Sequence, residues 1–162
     1  MAGNTRHRET HRARVHSDFS TGLWTPTIGD DSLDGTGEGQ AYTNQNGHWQ
    51  RWADWVNVQG FMVISDLGTM TAGQGARLLD FPFPMLNEAD SEPCFEIVGT
   101  SLAVPVLGQN ITAVGVINTQ LADLMLWDGV AGVTALLVSE LSVGAGIRIT
   151  GAYLAEPQSV SP

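Results

Sequence analysis

The side chains that could carry chemistry are few in this sequence, and their spacing assembles no reaction centre. All seven basic residues are Arg, so a phosphate-cradling GxxxxGK loop cannot exist. HExxH, GxSxG and CxxC are also absent. His7, His11 and His16 fall near the N-terminus, which leaves His48 as the one histidine of the body. A nucleophilic triad through His48 would need its Ser and its acid brought in from other strands. The single Cys94 excludes an intrachain disulfide and, lying beside Phe95 in a strand-like stretch, reads as a small core residue. Paired carboxylates for glycoside hydrolysis depend on spatial pairing, which spacing leaves open. Yet several acids share one Gly-rich loop, which is poor support for preorganised catalysis. That loop, GDDSLDGTGEG at 29–39, resembles a calcium loop in placing Asp30, Ser32 and Asp34 at alternate positions before Gly35. The bidentate Glu required six residues after that Gly is replaced by Ala41. The expectation is no catalytic residue, no cofactor and no metal.

What remains is binding chemistry, concentrated in residues 40–64, QAYTNQNGHWQRWADWVNVQGFMVI. With Ala53-Asp54 as a two-residue turn, Trp52 faces Trp55, Trp49 faces Val58 and Gly47 faces Gly60. Period-two alternation then sorts both arms consistently. One face carries Trp49, Val56, Val58, Met62 and Ile64. The other carries His48, Gln50, Asn57 and Gln59, with Trp52 and Trp55 paired at the tip. The stretch is a long antiparallel hairpin with a core face and a polar face. Trp52 and Trp55 could cover a core end, form a subunit interface, or stack on a sugar with His48, Gln50, Asn57 and Gln59 as hydrogen-bonding neighbours. An amide-rich strand face suits a saccharide and suits an ordinary solvated sheet equally well.

The elements that must hold this hairpin belong to one domain. A chain of 162 residues with 43% hydrophobic content is long enough to build a single sizeable core. Residues 1–17 form a basic arm with almost no apolar side chain, 18–156 the folded body, and 157–162 a short polar tail. The arm carries Arg6, Arg8, Arg12 and Arg14 against one acid, whereas the rest of the chain is strongly acidic, for a net charge of −10. An arm of that kind suits an acidic protein surface; without interleaved aromatics it suits nucleic acid less well. The acidic body argues against a broad nucleic-acid face. No apolar run reaches the length of a membrane span, and the N-terminus lacks the apolar region of a signal peptide.

Along the chain, FSTGLWTPTI at 19–28 is an entry strand that Pro26 confines to an edge or bends. The Phe-Pro-Phe-Pro stretch at 81–84 is extended, because each residue before Pro is pushed out of the helical region. Strands follow around 94–101 and 111–119, and 142–156 closes the domain with Ile147, Ile149 and Tyr153 on one side. Residues 121–141 are ambiguous. Leu121, Leu124 and Met125 could form a helical turn, but Gly129 and Gly132 interrupt anything longer, and 133–138 reads as a strand. As strands, DLMLW and VTALLV are apolar on both sides, so one face must find cover outside the domain, from a neighbouring copy. Eight or nine short strands with Gly-rich turns and no strand-helix-strand alternation predict an all-β fold, an antiparallel β-sandwich that is jelly-roll-like, with an extended N-terminal arm.

Several motifs in this order resemble a module of tailed-bacteriophage virion proteins, found in head decoration proteins, head fibres and tail fibre tips. Trp24-Thr25-Pro26-Thr27 comes first, followed by Tyr42-Thr43-x-Gln45-x-Gly47-x-Trp49-x-Arg51 and a hairpin turn. Leu79-Asp80-Phe81-Pro82-Phe83 stands where the module has a GLPF end, and Ile149-Thr150-Gly151-x-Tyr153 matches its final strand. Two positions depart: the usual Gly-Asn turn is Ala53-Asp54, and a usual Tyr is Trp49. The resemblance spans residues 23–154. It implies a jelly-roll-like sandwich, a homotrimer and no enzymatic activity. With only a basic arm before the domain, the expectation is a capsid decoration (cement) protein on the outer capsid surface of the virion. Its partner would be the major capsid protein, with Arg6, Arg8, Arg12 and Arg14 docking on an acidic groove. The alternative is a fibre module that recognises host carbohydrate through Trp52 and Trp55.

Overall fold

A computed structural model of the chain describes residues 19–32, 38–88, 92–102, 109–130 and 132–157. Arg6, Arg8, Arg12 and Arg14 of the arm, and Asp34 and Gly35 of the acidic loop, lie outside the described residues. Within them the fold is all-β. The strands are β1 (Phe19–Trp24), β2 (Thr27–Asp30), β3 (Ala41–Trp52), β4 (Trp55–Asp66) and β5 (Ala76–Leu79), then β6 (Cys94–Thr100), β7 (Gln109–Gly115), β8 (Ala122–Asp128), β9 (Gly132–Ala135) and β10 (Gly146–Leu154). A single turn of 3-10 helix occupies Val138–Glu140. The helical turn considered at Leu121–Met125 does not form, because β8 alternates and buries Ala122, Leu124 and Leu126.

The strands make one antiparallel sheet in the order β1-β3-β4-β10-β6-β7-β8-β5-β2, with β9 added to β8. β1 and β2 stand at opposite ends of that order, yet only Thr25 and Pro26 separate them in the chain. A sheet whose end strands are joined by two residues has to curl until its ends meet. Pro26, which lacks an amide donor, sits at the break between them, where neither strand's ladder needs one. The curled sheet wraps its inner faces around one core, giving the sandwich-like enclosure expected from the strand pattern.

The seam where β2 meets β3 is closed by side chains. The Ile28 N–H donates to Tyr42 Oη at 2.7 Å, and Gln40 Nε2 donates to the Ile28 carbonyl at 2.7 Å. Gln45 Nε2 reaches the Pro26 carbonyl, also at 2.7 Å. At the far end the Asp30 N–H donates to Glu38 Oε2 at 3.3 Å, and both acids are buried.

Inside, aromatic rings link the strands. Trp24 stacks on Phe81 with centroids 5.3 Å apart, and Phe81 contacts Phe95 at 4.8 Å and Tyr153 at 5.9 Å. Tyr153 is buried but keeps a polar partner, its hydroxyl donating to the Phe83 carbonyl at 3.1 Å. Cys94 corrects the sequence reading: it is exposed, not a core residue. Phe95 and Ile97 face inward from β6, so the two-residue period turns Cys94, Glu96 and Val98 outward.

The doubly apolar segments resolve unevenly. From β8, Asp123 faces outward and pairs with Arg77 at 2.7 Å, while Trp127 remains 45% exposed. β9 is exposed at all four positions and, among the described strands, pairs only with β8.

Candidate functional site

The β3–β4 hairpin adopts the register expected from its alternation: Trp52 pairs with Trp55, Trp49 with Val58 and Gly47 with Gly60. Val56, Val58, Met62 and Ile64 are buried on one face, and His48, Gln50, Asn57 and Gln59 are exposed on the other. β1 adds to the free side of β3 and extends this outer face. Its register aligns three rows across the strands. Phe19, Trp52, Trp55 and Leu154 form the first; Thr21, Gln50, Asn57 and Ala152 the second; Leu23, His48, Gln59 and Thr150 the third.

The first row is an aromatic shelf. Phe19 is 57% exposed, Trp52 71% and Trp55 55%. Beside it, His48, Gln50, Asn57 and Gln59 line a shallow depression of about 100 Å³. These four side chains make no hydrogen bond among the described residues. Amides elsewhere are committed: Gln40 and Gln45 close the seam, and Gln120 holds the Phe81 carbonyl at 2.5 Å. The structure therefore brings together all six side chains that the sequence singles out on the hairpin. It adds Phe19 and Leu23, whose alternation with Ser20 and Gly22 in FSTGLW was the available signal.

Rigid packing underneath fixes this face. Gly47 and Gly60 oppose each other across the ladder and leave a slot for the Trp24 indole, whose Nε1 donates to the Gln59 carbonyl at 3.0 Å. A methyl group at Gly47 would collide with that ring, which is why a pair without side chains is needed. Trp49 packs edge-on to Phe83 with centroids 4.9 Å apart. Arg51, 4% exposed, clamps the tip from inside. Its Nε donates to the Ala53 carbonyl at 2.7 Å, and Nη2 donates to the Glu156 carbonyl at 2.9 Å and lies 3.6 Å from Asp54 Oδ1. The guanidinium stands 4.7 Å over the Phe83 ring.

The paired carboxylates that sequence left open are Asp30 and Glu38, at 1% and 2% exposure. Burial first, then contact with the Asp30 carboxylate, raises the pKa of Glu38. Burial pushes Asp30 the same way but is outweighed. Hydrogen bonds from the Ser32 hydroxyl at 2.5 Å, the Thr71 N–H at 2.6 Å and the Ser32 N–H at 2.9 Å hold it well below the usual carboxylate range. Glu38, its pKa raised, and Asp30, its pKa lowered, form a buried pair at the seam. Among the described residues no three His, Cys, Asp or Glu side chains gather into a metal site. His48, on the outer face, has no acid opposite it on either neighbouring strand; Leu23 and Gln59 stand there.

No family model and no curated protein matches the sequence. Among solved structures the chain is similar to the Dettilon tailspike protein, with a TM-score of 0.62 at 14% identity. The match covers 83% of this chain and 23% of that one, so the chain spans about a quarter of the tailspike's length. At this identity the likeness is one of fold.

Proposed function

We propose that the chain is a structural component of a tailed-phage virion that acts by binding and not by turnover. In this reading it is a homotrimeric decoration protein that seats on the major capsid protein at the outer capsid surface and stabilises the shell. The observation that carries it is β9. A strand exposed at all four positions, next to Trp127 at 45% and Val130 at 99% exposure, asks for cover by sister copies. The fold likeness to a tailspike supports membership of a virion. The outer-face glutamines, asparagine and histidine have the chemistry of a binding surface, and the buried Asp30–Glu38 pair that of a structural contact.

The four arginines of the arm supply the docking charge, drawn to an acidic groove on the capsid. Deleting residues 1–17 is expected to abolish attachment to virions while leaving the trimer intact. Particle occupancy measured by quantitative gel and cryo-electron microscopy checks this; full occupancy by the truncated protein would refute the arm's role. Attachment is also expected to weaken with added salt, because screening shortens the reach of the arginines. The tailspike likeness favours a second placement, in a head or tail fibre. Images of labelled particles separate the two directly, by density over the capsid lattice or at a fibre tip.

A further inference from the structure

We propose that the outer face of β1, β3 and β4 is a binding site for an uncharged saccharide, with pyranose rings stacked on the Phe19–Trp52–Trp55 row. The neighbouring Gln50–Asn57 and His48–Gln59 rows take the sugar hydroxyls. This inference does not depend on where the protein sits on the particle.

Three observations carry it. Phe19, Trp52 and Trp55 stand in one register row on three adjacent strands, each of them exposed. A pyranose presents a C–H face to an aromatic ring and hydroxyls around its rim, so it needs an apolar shelf beside polar groups. Here the shelf borders a shallow depression of about 100 Å³ whose four lining side chains, all amides or imidazole, have no partner among the described residues. Amides supply donors and acceptors together, which matches a hydroxyl that both gives and accepts.

Charge selects among sugars. Thr21, His48, Gln50, Asn57, Gln59 and Thr150 put no carboxylate and no Arg on the central rows. The charges flanking them include Asp54 at the turn, Glu96 beside Thr150 and Arg148 on the next row over Phe61, on a chain of net charge −10. An anionic glycan would find no cation on the central rows and would meet a net-negative chain, with the one neighbouring Arg148 already seated over Phe61 and flanked by Glu96. A second copy of the chain is a poorer occupant. It would bury four unpartnered polar side chains, each unfavourable when left unsatisfied, whereas the β9 edge offers an apolar contact without that cost.

The test uses the full-length protein on an array of neutral oligosaccharides (glucans, mannans, N-acetylglucosamine oligomers) with sialylated and sulfated glycans as controls. The strongest neutral hit is then titrated while the indole N–H signals are followed by NMR. The expected result is binding confined to neutral glycans, with the Trp52 and Trp55 signals shifting and the enclosed Trp24 signal unmoved. Trp52→Ala and Trp55→Ala should each weaken binding by roughly tenfold or more, and Gln50→Ala combined with Asn57→Ala should do so with the aromatic row intact. All these side chains are exposed, so folding is preserved and circular dichroism verifies it. The proposal is overturned by no saccharide binding in the array or at millimolar ligand, or by preference for acidic glycans. It is also overturned by variants that bind like the parent, or by Trp52→Ala changing the oligomeric state, which would make the face a contact between copies.

Discussion

At the scale of single residues, two positions hold conformations or charges that local chemistry resists. Ala53, in the hairpin turn, has φ of 52°, in the left-handed region where a Cβ costs about 1–2 kcal/mol. Gly at this position removes that strain and gives back part of the gain through its freer unfolded state. Ala53→Gly is therefore expected to stabilise by about 0.5–1 kcal/mol and to raise Tm by roughly 1–4 °C in calorimetry. The Arg51 bond to the Ala53 carbonyl is unaffected, since only backbone receives it. Glu38 and Asp30 set a pH window. Glu38 titrates higher in the folded protein, so its contribution is complete below its ordinary pKa and is lost as pH rises through the raised value. Asp30 titrates lower, so its contribution is present above its ordinary pKa, near pH 4, and is lost as pH falls further. Denaturant midpoints across pH should decline on both sides of that window. Glu38→Gln, which stays neutral, should flatten the alkaline side alone; an unchanged alkaline slope would show that another group is responsible.

At the scale of elements, the hairpin was legible because two arms had to agree under one turn, and a slip of one residue would have exposed Val56, Val58, Met62 and Ile64 together. Ile147, Ile149 and Tyr153 in β10 were legible for the same reason. Cys94 was misplaced because its small apolar character was weighed above the alternation set by Phe95 and Ile97. The outward rank of Phe19 and Leu23 was readable in period but went unused, since nothing local tells which side of an edge strand faces in. Pro26 marks the bend between β1 and β2 in the sequence, but their separation to opposite ends of the sheet is not legible, because pairing order between distant strands leaves no local trace. The Gly47–Gly60 pair is the element's tightest constraint. Gly47→Ala is expected to force the Trp24 ring from its slot and to cost about 1–3 kcal/mol. Thermal melts, together with loss of the protected Trp24 indole signal, check this.

At the scale of the whole molecule, the outer face of β1, β3 and β4 and the β9 edge are separate surfaces with different chemistry, one amide-lined and one apolar. The reading that copies meet at β9 predicts that Val133→Asp leaves the single chain's stability within about 0.5 kcal/mol, since β9 adds nothing to the core. It also predicts that the variant sediments as a monomer; an assembly that survives the substitution would place the contact elsewhere. The two-residue crossing at Thr25–Pro26 has a further consequence for biogenesis. The segment 19–30 staples both margins of the sheet, and β2 has no ladder partner until β5 is made. β4 pairs at once with β3 across the turn but finds its second neighbour only in β10. The β1–β3–β4 ladder can form among its own strands, whereas closing the sheet waits for pairings distant in sequence, so complete folding is expected on the order of milliseconds to seconds.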